Sequence, residues 1–227
     1  MKKVYIDCGH GGADSGAICK VKNVFEKNIV LEVGKLIDSK LRKCGLEVKL
    51  SRTNDITKSL SQRTNEANAW GADCLVSIHV NDASNTSAQG LETYCYNFNY
   101  RKLADCVHGE IVKADLYTKN RGVKEGNLHM VRESRMSACL VELFFINNDE
   151  DVSKFMYKKE EFASAIAKGI CNFLGVNYIE ENTPSNSSDN TLYRICATAV
   201  TGAVNADNEI AKLKSKGYLD TYKVAVK

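Results

Sequence analysis

Through about residue 175 the chain alternates short apolar runs with segments of helical periodicity, and this alternation restricts the fold more than any other feature. Val4–Cys8, Glu47–Leu50, Cys74–His79, Leu91–Tyr96 and Ala138–Leu143 read as strands. Between them, Glu26–Cys44, Leu60–Trp70, Arg101–Tyr117 and Lys159–Leu174 carry apolar residues three and four apart and read as helices. Strand–helix alternation predicts an α/β fold, a mainly parallel twisted sheet with helices on both faces. Leu91–Tyr96 follows its predecessor with no helix between them, so an antiparallel pairing is expected there.

The 227 residues suffice for one well-buried domain and a small appendage. The pattern breaks at Asn177–Asn190, where the only proline, Pro184, lies among Asn, Ser, Thr and acidic residues. That composition reads as a linker. The expected organisation is a main domain at 1–176, a linker at 177–190 and a small β-α-β unit at 191–227. A net charge of +3 is too small for the concentrated basic face that nucleic acid requires, so no nucleic-acid partner is expected. No apolar span is long enough for stable membrane insertion. Met1-Lys2-Lys3 runs straight into Val4-Tyr5-Ile6-Asp7, which lacks the apolar region and cleavage site of a signal peptide. The nine cysteines are scattered, with no C-x-x-C pair, which suits folding in a reducing cytoplasm better than a disulfide framework.

Polar residues stand out at strand ends. His10 follows the first strand inside Asp7-Cys8-Gly9-His10-Gly11-Gly12, His79 closes Leu75-Val76-Ser77-Ile78-His79, and Glu142 interrupts Ala138–Phe145. In open α/β sheets ligands gather at the carboxyl ends of strands, so these three can converge. Glu26 precedes Ile29 and Val30 by three and four residues and shares their inward helix face. Each residue has an ordinary alternative: a hydrogen-bonded structural histidine, an edge-strand charge in solvent, or a carboxylate stabilised by a helix dipole. A cation held by His10, Glu26 and His79 would satisfy three of them at once. Two imidazoles, a carboxylate and an open position form a known catalytic zinc arrangement, which leaves Glu142 as a general base.

The stretch from Val4 to Ala17, containing Asp7-Cys8-Gly9-His10-Gly11-Gly12, resembles the opening signature of the amidase-3 family of N-acetylmuramoyl-L-alanine amidases. Glu26-Lys27-Asn28, Ser77-Ile78-His79-Val80-Asn81, Gly90-Leu91-Glu92-Thr93 and Val141–Asn148 resemble later motifs of that family, in order. The resemblance covers about residues 2–175. It implies zinc on His10, Glu26 and His79, with Glu142 activating water to cut the amide between the lactyl group of N-acetylmuramic acid and L-alanine in peptidoglycan. Asn81 and Arg63 are candidate substrate contacts, with Arg52 and Glu92 behind them. His108 is expected in solvent, and His129 is a minor candidate for the cleft border. Leu143 stands where the family usually has glycine, and its bulk is expected near the site.

Residues 191–227 resemble one half of a SPOR-type peptidoglycan-binding domain, with six basic residues against three acidic ones. A lone half exposes sheet edges, so a homodimer through 191–227 is expected. A wall hydrolase made in the cytoplasm fits a phage endolysin released through a holin, with a bacterial autolysin as the competitor. Two other readings remain: a zinc peptidase cutting within the stem peptide, and a non-catalytic wall-binding module.

Overall fold

The computed structural model describes residues 1–19 and 24–180. The β-α-β unit expected at 191–227, its dimer contact and most of the linker therefore lie outside the described residues. The chain forms β1 (Lys3–Cys8), a short hairpin of β2 (Ile18–Cys19) and β3 (Val24–Phe25), α1 (Glu26–Lys43), β4 (Glu47–Leu50), α2 (Leu60–Trp70), β5 (Cys74–Asn81) and β6 (Leu91–Cys95). It continues through α3 (Lys102–Lys113), β7 (Asn120–Glu125), α4 (His129–Arg132), β8 (Ser137–Phe145) and α5 (Asp149–Leu174). No described helix is long and apolar enough to cross a membrane.

Six strands make one sheet in the order β4-β1-β5-β8-β6-β7. The β4, β1, β5 and β8 strands are mutually parallel, and β6 runs antiparallel to β8. The expected antiparallel pairing is thus present, although the partner is β8 rather than the preceding strand. The strand period of two sorts the core. Val4, Ile6 and Cys8 of β1 pack with Val30, Val33 and Ile37 of α1, on the face that α5 also covers. Tyr5 points the other way, toward Ala67 of α2 and Met130 of α4.

Helix limits follow local capping. At α2, Ser59 accepts from the Gln62 amide and Gln62 answers the Ser59 amide, while Gly71 ends the helix at φ 70°. The α5 helix starts at Asp149 rather than at Lys159, the expected start. The Asn148 side chain caps it by accepting from the Asp151 amide, and acidic residues fill its first turn. Lys158 departs from helical geometry (φ −124°, ψ 24°), so the helix bends where the apolar stripe lapses, and that hid its first half. The buried Asp151 carboxylate then accepts from the amides of Gly90 (2.8 Å) and Phe145 (2.7 Å), which ties the start of β6 to the end of β8. The sequence reading omitted β7, an edge strand of Asn-Arg-Gly-Val-Lys-Glu with no apolar alternation.

A candidate metal centre at the strand ends

The loop after β1 holds His10 at φ 58°, in the left-handed region that side-chain-bearing residues rarely adopt. Two buried arginines grip the carbonyls of that loop. Arg52 donates to the oxygens of Cys8 (3.0 Å) and Gly9 (2.8 Å), and Arg63 to those of Cys8 (2.6 Å) and His10 (2.6 Å). Arg63 also forms a buried ion pair with Asp7 (2.8 Å), whose other oxygen accepts from the Ser77 hydroxyl (2.7 Å). Burial works against the Asp7 carboxylate, but Arg63 and Ser77 outweigh it and hold its pKa below the ordinary value. The loop conformation is therefore stabilised by hydrogen bonds and charge from the segment after β4, from α2 and from β5.

His10 and His79 converge on one carboxylate oxygen. His10 Nε2 lies 3.1 Å and His79 Nδ1 3.0 Å from Glu26 Oε1, which also accepts from the Val80 amide (2.8 Å). Glu26 Oε2 accepts from the Ala17 amide (2.8 Å), and Glu26 is 3% exposed at the start of α1. One ligand atom from each of His10, Glu26 and His79 lies within 4.8 Å of the others, a candidate metal-binding triad. Asp14 Oδ2 sits 2.9 Å from His10 Nδ1, which leaves Nε2 facing Glu26. Two glycines admit the rings: a Cβ at Gly9 would come within 2.4 Å of His79, and one at Gly16 within 2.6 Å of both Glu26 and His10.

The electrostatics suit a cation. Burial disfavours charge on both imidazoles, yet the Glu26 hydrogen bonds, with Asp14 beside His10, raise their pKa values, that of His10 to about 9. Burial opposes ionisation of Glu26, but His10 and His79 pull its pKa well below the carboxylate range. The same carboxylate that favours charge on the two rings would favour a bound cation. Glu142 pairs with His79 across β5 and β8, and its Oε2 is buried with no hydrogen-bond partner among the described residues. Burial pushes its pKa up to about 7. An inaccessible carboxyl oxygen without a partner is costly, which makes Glu142 a candidate functional group. A cavity of about 230 Å³ opens beside the triad, lined by His10, Thr57, Ser59, Leu60 and His79 among others.

The remaining candidates are placed as follows. Arg63 spends its donors on Asp7 and the carbonyls of Cys8, His10 and Lys58. Asn81 donates to Glu92 (2.6 Å) and accepts from the Asp82 amide (2.9 Å). His129 sits at the start of α4 and reaches Thr64 of α2 (3.3 Å), not the triad. His108, expected in solvent, is 6% exposed and bonds Thr93 (3.0 Å) and Asn120 (2.9 Å), because its face of α3 packs on β6 and β7. Leu143 is also a correction. It alternates with Glu142 along β8, so its bulk enters the core rather than the site. Sequence reasoning did not single out Asp14, although it stands four residues after His10 within the signature stretch.

Two imidazoles and a carboxylate around one position, at the carboxyl edge of an α/β sheet, make a candidate metal site of the kind hydrolases use. Residues 4–172 match the N-acetylmuramoyl-L-alanine amidase family Amidase_3, and the chain belongs to that family. N-acetylmuramoyl-L-alanine amidase CwlM of Bacillus licheniformis is 37% identical over 226 residues, spanning 96% of this chain and 83% of CwlM. The catalytic domain of CwlV, an amidase from Bacillus (Paenibacillus) polymyxa var. colistinus, superposes with a TM-score of 0.74 at 34% identity, covering 78% of this chain and all of that one. The endolysin of Bacillus phage SPP1 is 35% identical over 178 residues, 74% of this chain and 63% of the endolysin.

Proposed function

We propose that the chain is a zinc-dependent N-acetylmuramoyl-L-alanine amidase that hydrolyses the amide joining the lactyl group of N-acetylmuramic acid to L-alanine in peptidoglycan. The observation that carries this is the convergence of His10 Nε2 and His79 Nδ1 on Glu26 beside the orphaned Glu142 Oε2. His10, Glu26 and His79 would hold the ion, a donor set of two imidazole nitrogens and one carboxylate oxygen that suits zinc. Zinc bound there supplies Lewis acidity, polarising the scissile carbonyl and lowering the pKa of water. Glu142 takes the proton of the attacking water at Oε2 and returns it to the alanine nitrogen as the amide breaks; a pKa near 7 lets one group serve in both directions. Asp14 orients His10, and Arg52 and Arg63 hold the His10 loop.

The reading extends to where the enzyme works. It acts on the bacterial wall, as an autolysin or an endolysin would. The alignment with the bacterial CwlM over 96% of the chain, against 74% with the phage endolysin, supports the bacterial setting. Residues 191–227 are proposed to bind the wall polymer or to pair between two copies.

Mass spectrometry of digested peptidoglycan tests the reaction. Free L-alanine amino ends on intact stem peptides, lost on chelation and restored by zinc, are the expected result. Ends within the stem peptide would favour the zinc-peptidase reading, and an undigested wall the non-catalytic one.

A further inference from the structure

Beyond Glu142 the sheet carries a second charged cluster that the proposed chemistry does not use. Glu92 on β6 lies directly opposite Glu142 on β8, so both side chains stand on the same face of the sheet. Glu92 is 3% exposed, and its carboxylate is fully occupied. Oε1 accepts from Asn81 (2.6 Å) and the Tyr94 hydroxyl (2.9 Å), while Oε2 accepts from Arg121 Nε (2.6 Å) and Lys124 Nζ. One cation would neutralise Glu92; the second leaves the cluster with a net positive charge. Only Nε of Arg121 bonds Glu92, and its terminal nitrogens make no hydrogen bond among the described residues. The Arg121 guanidinium carbon lies 5.0 Å from the centre of the Phe145 ring, within cation–π range. Arg121 and Lys124 are 29% and 36% exposed, open enough to meet a ligand.

On the other flank Lys49 and Lys58 share Glu66, Lys58 also donates to the Ser51 carbonyl, Lys27 pairs with Asp55, and Arg63 spends its fork on Asp7 and loop carbonyls. Arg121 differs in keeping its terminal nitrogens free of hydrogen bonds among the described residues. We propose that Arg121 and Lys124, organised by Glu92, form a subsite for a carboxylate of the stem peptide and set a preference for peptides whose second residue keeps its α-carboxylate free. This rests on the amidase reading. A single carboxylate and two hydrogen bonds link Arg121 to Asn81, two residues past His79. An extended peptide advances about 3.3–3.6 Å per residue, so a carboxylate on the residue after L-alanine lies about 7 Å from the scissile amide. Arginine with its fork free is the side chain best shaped for a carboxylate.

The test compares two soluble muramoyl peptides that differ only at the second residue, D-isoglutamate in one and D-isoglutamine in the other. The zinc-loaded wild-type enzyme is expected to cleave the free acid with kcat/KM about tenfold above the amide, the size of one charge-assisted hydrogen bond. Arg121→Gln and the double variant with Lys124→Gln should bring that ratio close to one, and Arg121→Lys should restore part of it. Equal kcat/KM for both substrates in the wild type overturns the subsite without any variant. So does an unchanged ratio in variants that keep the wild-type melting temperature. Failure of the wild type to release the alanine amino group from either peptide would instead refute the amidase reading.

Discussion

His10 shows how a single residue is held for function. Its φ of 58° costs free energy that Arg52, Arg63 and Asp14 offset, two from the backbone side and one at the ring. Asp7 supports this arrangement from below, and its loss is a residue-scale test. Asp7→Asn leaves the Arg63 charge buried without its partner and should destabilise the fold by about 3–5 kcal/mol. Because the folded-state pKa of Asp7 is depressed, its contribution is present above the ordinary value of 3.8 and lost as pH falls through the folded value. The gap in melting temperature between wild type and variant should therefore be constant near neutrality and shrink below pH 4 or so. Glu142→Gln probes the chemistry alone. It keeps the shape and should keep the melting temperature and zinc content, while peptidoglycan turnover falls about 10²–10⁴-fold. A variant retaining most of its rate would assign water activation to another group.

At the scale of elements, α3 and α5 meet closely on the α1 face of the sheet because Gly169 has no side chain. A Cβ there would lie 2.5 Å from the Val107 Cα and 2.7 Å from the Cys106 carbonyl oxygen, both backbone atoms that cannot swing aside. Gly169→Ala is expected to force the helices apart and cost about 1–3 kcal/mol, read as a lower calorimetric melting temperature with near-normal activity. A variant as stable as wild type would show that the helices slide freely. Legibility also divides by element. Strands buried on both faces, such as β5 and β8, announce themselves as apolar runs. The edge strand β7 has one neighbour and a charged face, so no apolar pattern marked it. The start of α5 was hidden because its cap and acidic first turn, rather than its apolar stripe, define it.

For the whole molecule, the sheet brings together residues far apart in the chain. The expected dimer belongs to this scale: light scattering should find two copies for the full chain and one for residues 1–176, and a full-length monomer at micromolar concentration would end that proposal. Local pattern was enough to establish the α/β class and the antiparallel turn of β6, because side-chain periodicity reports which faces are buried. Strand-end and helix-face position, together with resemblance in the motifs that bear them, was enough to nominate His10, Glu26, His79 and Glu142. Proximity had to come from tertiary structure: that both imidazoles meet one oxygen of Glu26, that Leu143 enters the core, that His108 is buried, and that Arg63 serves the loop. The cluster of Glu92, Arg121 and Lys124 was least legible of all. Its members lie on two strands whose pairing depends on the sheet order, and one-dimensional pattern carries burial but not which strand lies beside which.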